Sequence, residues 1–328
     1  MSFDKLFISG TPSNKVTSNH NRMCDYIELK CLTSQDRIVS KDDVIAWFNE
    51  ESENDGAENH AELSDKKTAK VESYFEQISF RAKEVGDNYP FAYDDDCLIA
   101  NDIYSLEQLQ YIVLLLSSNL TVFDKSSAQL LTAYFEEYCL PYFCCLVPAK
   151  AYSYVFGTSR SDGEFKGNLR SRIERLAEIL NAQTTKSFDN DPKYDVPAGD
   201  GGLDLISILK IDEATHLPVA LGQCTCSYDK WEIKQIEISQ ERWRSRIDPL
   251  APISQFMFVP FFCRDAGGTF ENPTMITTCL IDRMRILKLL EMEESLIDDI
   301  DYNQQLDLIE SCCSTEFRTQ IQQGLQTT

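Results

Sequence analysis

Two short apolar runs each carry one polar residue where a buried strand would not ordinarily tolerate it. Leu203-Asp204-Leu205-Ile206-Ser207-Ile208 follows the turn Asp200-Gly201-Gly202, and nineteen residues after Asp204 comes Gln223 in Ala220-Leu221-Gly222-Gln223-Cys224-Thr225-Cys226. Runs of this kind bounded by turn residues read as strands, here at 202–210 and 217–226, joined through Asp212-Glu213-Ala214-Thr215 as a β-hairpin. A carboxylate and a carboxamide therefore arrive on consecutive strands. Burying either without a partner costs on the order of 1 to 3 kcal/mol. Asp204 alone could turn back to cap Gly201-Gly202, but with Gln223 beside it a metal ion that both residues hold is the better expectation.

Composition narrows the rest. At 328 residues and 43% apolar content the chain has the make-up of a globular protein of two domains, or one elaborated one. Its longest apolar runs, Tyr111–Leu116 and Tyr142–Val147, fall well short of the roughly 18 to 20 residues of a membrane span, and the start Met1-Ser2-Phe3-Asp4-Lys5 has no signal-peptide pattern. A cytoplasmic location is expected. Twelve cysteines lack any C-x-x-C spacing, the three histidines lie near no cysteine cluster, and Cys139, Cys144, Cys145, Cys263 and Cys279 sit in apolar text. Buried thiols, rather than disulfides or structural zinc, follow. The net charge of −22 excludes a protein that coats nucleic acid by bulk electrostatics, since both the first 150 residues (13 basic, 25 acidic) and the remainder (18 and 28) are acidic.

Apolar spacing suggests a helix or short strand at 21–32 and a helix capped by Ser40 through Trp47-Phe48. Residues 50–68 are acidic and poor in large apolar side chains, the composition of a mobile loop, and a helix is expected to resume from about Lys70 to Lys83. Ser105-Leu106-Glu107-Gln108 reads as a capping box opening a helix to Leu116, and another helix starts at Ser126 or Ser127. Residues 1–150 thus read as a mainly helical region. Turn-rich text at 151–162 marks the boundary to a domain spanning 151–328. There, a helix at 169–180, the two strands, a helical segment at 231–243, strands at 255–262 and 274–280, and a helix at 282–290 indicate an α+β or α/β fold.

These residues resemble the PD-(D/E)xK superfamily of restriction-endonuclease-like nucleases, whose core is a helix bearing a glutamate, a hairpin bearing Asp and then Glu or Gln with Lys two residues on, and a crossover helix. The resemblance covers roughly residues 165–245. It implies a restriction-endonuclease-like mixed sheet, with Glu174 of Ile173-Glu174-Arg175-Leu176 as the helix glutamate, and with Asp204, Gln223 and the Cys224 backbone carbonyl holding Mg²⁺ or Mn²⁺. Glu174 would be an outer or direct ligand. The family lysine would fall at Thr225, which cannot supply a cation. Lys234, in Trp231-Glu232-Ile233-Lys234, is the preferred replacement and Lys230 the second choice, because some bacterial members with a Gly-Gln-Cys strand carry a tryptophan followed three residues on by lysine.

What the resemblance implies about function is metal-dependent hydrolysis of DNA, with RNA still open, as a subunit of a bacterial antiviral system beside an ATPase or helicase. The alternative it leaves is an interaction or sensor subunit that keeps the fold without the chemistry. Arg160, Lys166, Arg170, Arg172 and Arg175, together with Arg242, Arg244 and Arg246, form two basic patches that could meet phosphates or pair with nearby acids. Trp231 and Trp243 could stack on bases or pack in a core. The acidic runs Asp94-Asp95-Asp96 and Asp298-Asp299-Ile300-Asp301 lack calcium-loop spacing and read as solvated charge.

Overall fold

The computed structural model describes residues 12–34, 36–52, 60–94, 96–123, 125–157, 163–195, 199, 201–297 and 304–305. Arg160, Asp200 and the run 298–301 lie outside them. The chain forms two compact units: Met1–Leu131 with Pro260–Glu271 and Asp301–Thr328, and Thr132–Val259 with Asn272–Ile300. The division therefore falls at Leu131, inside a helix, and not in the turn-rich text at 151–162. None of the described helices is long and apolar enough to cross a membrane.

In the first unit the elements are α1 (Asn14–Thr17), α2 (His20–Thr33), β1 (Ile38–Ser40), α3 (Lys41–Ser52), α4 (His60–Val85), β2 (Phe91–Asp94), β3 (Cys97–Ala100) and α5 (Leu106–Ser118). The three strands form an antiparallel sheet in the order β1-β3-β2. The cap expected at Ser40 is present, its hydroxyl accepting from the Asp43 amide at 3.1 Å, and so is the Ser105–Gln108 capping box. α4 begins at His60, ten residues before the apolar pattern resumes, so 60–68 is helix and not loop. Ala, Glu, Leu and Lys dominate its first turns, and these are strong helix formers even where no apolar stripe marks them. Within the acidic run Asp94–Asp96, Asp94 ends β2 and the Asp96 carboxylate pairs with Lys41 at 3.3 Å, while Asp95 lies outside the described residues.

Charge is buried at the centre of this unit. Arg81 of α4 is fully enclosed and donates to Asp25 at 2.8 Å and Glu28 at 2.9 Å, both on α2. The Tyr89 and Tyr111 hydroxyls donate to Glu28 at 2.9 and 2.8 Å, and the Phe262 ring lies 4.4 Å from the guanidinium. Two buried carboxylates persist only because a buried cation and several donors face them.

The second unit carries the larger sheet. α6 (Lys125–Cys145) enters it from Thr132 onward, followed by β4 (Tyr152–Val155), α7 (Leu169–Ile179), β5 (Gln183–Thr184), α8 (Lys186–Asp189), β6 (Leu205–Ile208), β7 (Val219–Cys224), α9 (Trp231–Lys234), α10 (Gln240–Arg244), β8 (Ile247–Asp248), β9 (Ile253–Phe258), β10 (Cys279–Ile281) and α11 (Arg283–Met292). The five-stranded mixed sheet runs β10-β9-β7-β6-β4. β4, β6 and β7 are antiparallel neighbours, and β7, β9 and β10 are parallel. Parallel neighbours require a crossover, and the segment from Trp231 to Arg244 provides the one between β7 and β9 as α9, a 3₁₀ turn Gln235–Ile238 and α10, in place of a single helix. Tyr152–Val155, read as part of a boundary, is an edge strand against β6.

Register decides the faces. Ile206 pairs with Leu221 and Ile208 with Val219, and these four join Leu169, Ile173, Leu176 and Ala177 of α7 in one buried core. On the other face Phe143 of α6 packs edge-on against Phe256 and Phe258 of β9. The sheet is covered on both sides, which is why its strands read as continuous apolar text.

The Arg81 cluster makes a test of the first unit. Arg81→Met should cost about 3 to 5 kcal/mol, because Asp25 and Glu28 stay buried without their cation. Hydrogen exchange should reveal lost protection in α2 and α4. Retained protection there would mean that the pair is not what holds these helices.

Candidate active site

Gly201 and Gly202 both have positive φ, 69° and 78°, and turn the chain into β6. A side chain at Gly202 would collide with Glu237, so glycine is required there on two counts. The turn delivers Asp204 one residue before β6. Continuing the ladder one step past the pair Leu205–Gly222 sets Asp204 opposite Gln223. The Asp204 carbonyl accepts from the Phe156 amide at 2.6 Å and its amide donates to the Gly222 carbonyl at 3.1 Å, so its backbone is fixed from both neighbouring strands. Its carboxylate Oδ2 accepts from the Cys224 amide at 2.7 Å. Asp204 does not simply cap the glycine turn; it reaches across to β7.

Gln223 is 4% exposed. Its Nε2 donates to the Cys224 carbonyl at 3.2 Å, and its Oε1 is buried with no hydrogen-bond partner among the described residues. A buried carboxamide oxygen without a donor is costly unless something outside the protein chain satisfies it.

The lysine question has a geometric answer. Lys234, at the end of α9, donates from Nζ to Thr225 Oγ1 at 2.9 Å. The ammonium that Thr225 lacks is thus brought to Thr225 by the next element. Lys230, the second choice, stands exposed at the start of α9 in left-handed backbone, with φ 62°.

The helix glutamate is a correction. Glu174 is exposed on α7, opposite the face that buries Ile173, Leu176 and Ala177, and its charge acts on Arg170. The acid brought toward Asp204 is instead Glu136 of α6. A Cβ built on Gly157 would lie 2.8 Å from Glu136 Oε2 and 3.9 Å from Asp204 Oδ1, so two carboxylates meet around one glycine. The same convergence registers at the thiols. Burial pushes the Cys224 thiol well above its ordinary range, with the adjacent Cys139 thiol and the charges of Asp204 and Glu136 adding to it. Burial likewise raises Cys226, where Cys139 and Glu136 add and the Lys234 charge opposes. Burial also raises Cys139. Glu136 had a signal in the text: with Glu137 it interrupts a run from Tyr134 to Val147 that is otherwise apolar or aromatic.

Among the described residues no group of three or more His, Cys, Asp or Glu converges to hold a metal. The oxygen donors on hand are therefore mixed in kind: the Asp204 and Glu136 carboxylates, the partnerless Gln223 Oε1 and the Cys224 carbonyl. Hard oxygen donors suit Mg²⁺ or Mn²⁺, and thiols held protonated do not compete for them. The described cysteines form no disulfide.

The described arginines of both patches are engaged within the chain. Arg170 pairs with Asp195 and donates to the Asp191 carbonyl at 2.9 Å, and Arg175 pairs with Glu164 and Glu178. Arg172, buried, holds the Phe156 and Gly199 carbonyls. Arg242 and Arg246 donate to the Gly201 carbonyl, and Arg244 to that of Leu250. These guanidiniums fix the backbone around the Gly201 turn and the ends of neighbouring elements, so Arg170, Arg172, Arg242 and Arg244, the candidates for phosphate contact, each have partners within the chain. Trp231 and Trp243 are buried, Trp243 donating to the Glu237 carbonyl at 3.0 Å, so neither is a stacking platform. Compared with protein-family models, with curated proteins and with solved structures, the chain matches none.

Calorimetry with Mn²⁺ separates the two glutamates. Glu136→Gln should weaken binding by about tenfold or more, and Glu174→Gln should leave it unchanged; the opposite ranking would return the role to α7. Alkylation at pH 8 should modify the exposed Cys144 and Cys279 while sparing Cys139, Cys224 and Cys226. A raised thiol pKa keeps the unreactive protonated form until the pH climbs past it. Reaction of Cys224 as fast as Cys279 in folded protein would contradict this.

Proposed function

We propose that this protein is a metal-dependent nuclease of the PD-(D/E)xK type, hydrolysing DNA phosphodiester bonds. The observation that carries the reading is the Lys234 Nζ to Thr225 Oγ1 hydrogen bond, together with a buried Gln223 Oε1 that has no donor among the described residues. The order of elements supports it as well: a helix bearing Glu136, the antiparallel strands β4, β6 and β7, then a crossover to parallel β9. In this reading α7 is an insertion between the first and second core strands, and the glutamate comes from α6.

Asp204, Glu136, Gln223 Oε1 and the Cys224 carbonyl would hold Mg²⁺ or Mn²⁺, which when bound acidifies water and offsets charge at a phosphate. The chain's own residues do the rest. Lys234 brings a fixed positive charge and up to two further N–H donors to orient the attacking water and to stabilise charge growing on the phosphate oxygens. Thr225 Oγ1 accepts the third and aims the ammonium. The covered sheet and buried thiols keep bulk water from Asp204 and Gln223, which strengthens each of these interactions.

Net charge of −22 and the engagement of the arginines within the chain leave little on this subunit to grip a phosphate backbone at long range. We therefore infer that a basic partner delivers the nucleic acid, in keeping with an effector subunit of a bacterial antiviral complex that includes an ATPase or helicase.

The test is cleavage of supercoiled plasmid in Mg²⁺, with the partner present where one is required. Asp204→Ala should abolish it and Lys234→Ala should reduce it by about 10²- to 10⁴-fold. Moving the cation back, as Thr225→Lys with Lys234→Ala, should recover part of the loss. Unchanged cleavage by Asp204→Ala would end the assignment. Cleavage absent from the wild type, with Mn²⁺ binding that ignores Asp204 and Gln223, would favour the interaction-subunit alternative.

A further inference from the structure

Lys234 ends a helix of four residues, and one turn of helix is marginal by itself. Its position must therefore be imposed from outside the turn. At the start, Trp231 is buried and anchors the chain, whereas Ile233, next to Lys234, is exposed and anchors nothing. On the other side stands Gln235, 1% exposed, whose carboxamide is saturated. Nε2 donates to the Glu232 and Met275 carbonyls, each at 3.0 Å. Oε1 accepts from the Thr277 and Thr278 amides at 2.8 and 3.1 Å and from the Thr278 hydroxyl at 2.9 Å, with the Thr277 hydroxyl at 3.4 Å.

These bonds tie the turn that carries Lys234 to residues 275–278, the connection that enters β10. A single buried carboxamide spanning forty residues of sequence to backbone amides and carbonyls fixes both the height and the rotation of the turn. We propose that Gln235 is the positioning residue of this site, holding the Lys234 ammonium at Thr225 by locking α9 to the Met275–Thr278 segment. The inference rests on Lys234 being the cation of the site. It adds that this cation is supported from β10's side of the sheet and not by β7 alone.

Residue-resolved acylation of lysines in the full chain, read by mass spectrometry, tests this without needing cleavage. In Gln235→Ala, Lys234 should react about tenfold faster than in the wild type, while Lys230, already exposed, keeps its rate. Gln235→Glu keeps the accepting oxygens and should fall between the two. Thr278→Val removes one donor without altering shape and should speed Lys234 by about twofold to threefold; it decides the matter if Gln235→Ala does not fold. Mn²⁺ affinity should stay within about twofold of wild type, because the donor set lies on α6, β6 and β7. Where cleavage is measurable, Gln235→Ala should lower kcat with KM unchanged. Lys234 reacting at the wild-type rate in both Gln235→Ala and Thr278→Val would overturn the proposal. Absence of cleavage from the wild type would instead overturn the nuclease reading, and the acylation rates would still report on Gln235.

Discussion

Gln223 reaches the end of β7 with its carboxamide enclosed, its nitrogen committed to the neighbouring carbonyl and its oxygen given nothing to accept among the described residues. A buried acceptor left this way costs on the order of 1 to 3 kcal/mol. A fold tolerates that cost where a ligand recovers it, and the residues around Gln223 are arranged as though one does. Asp204 lies opposite on the adjoining strand, Glu136 comes in from α6 at Gly157, and the thiols that surround them are held protonated by burial. Small glycines at 157 and 202 make room for acidic side chains that a Cβ would displace. The same economy explains why the arginines nearby bind backbone carbonyls: their task is to hold the turn that presents Asp204.

The lysine shows how a side chain from the crossover can bring a charge to the end of a strand. Thr225 directly follows the last residue of β7, and its hydroxyl receives the ammonium of Lys234 from the crossover. A cation supplied from a short helix depends on how firmly that helix is held. A lysine on a strand is positioned by the ladder itself, whereas one at the end of a four-residue turn needs neighbours on both sides, and Trp231 and Gln235 are those neighbours.

Much of this was legible in the amino-acid sequence, and the failures have physical causes. The strands of the hairpin, the capping residues Ser40 and Ser105, and the helix opened at Asp282 follow from local chemistry, and each is where the pattern puts it. Asp204 and Gln223 stood out because burial makes a polar residue conspicuous. Lys234 was legible as the preferred of two lysines, and the structure brings it and not Lys230, which stands exposed in left-handed backbone, to Thr225. Glu174 was read as turning inward although its own helix spoke against it: with Ile173, Leu176 and Ala177 inward, position 174 faces solvent. Glu136 was hidden by distance, 68 residues before Asp204 in the chain. Gln235 could not have been read at all, since its partners at 275–278 meet it only through the parallel crossover. The loop read at 50–68 failed at 50–52 and 60–68, where helix propensity needs no apolar stripe and α3 and α4 are formed, while 53–59 lie outside the described residues.

The central claim is that the Gln223 carboxamide oxygen and the Asp204 carboxylate share a divalent cation. Anomalous diffraction from crystals soaked in Mn²⁺ tests it most directly. The account predicts a manganese peak bonded to Asp204 and to Gln223 Oε1 at about 2.0 to 2.4 Å, with Glu136 and not Glu174 beside it and Lys234 still at Thr225. Manganese bound only elsewhere, or a protein donor turned onto Gln223 Oε1 in the crystal, would contradict it.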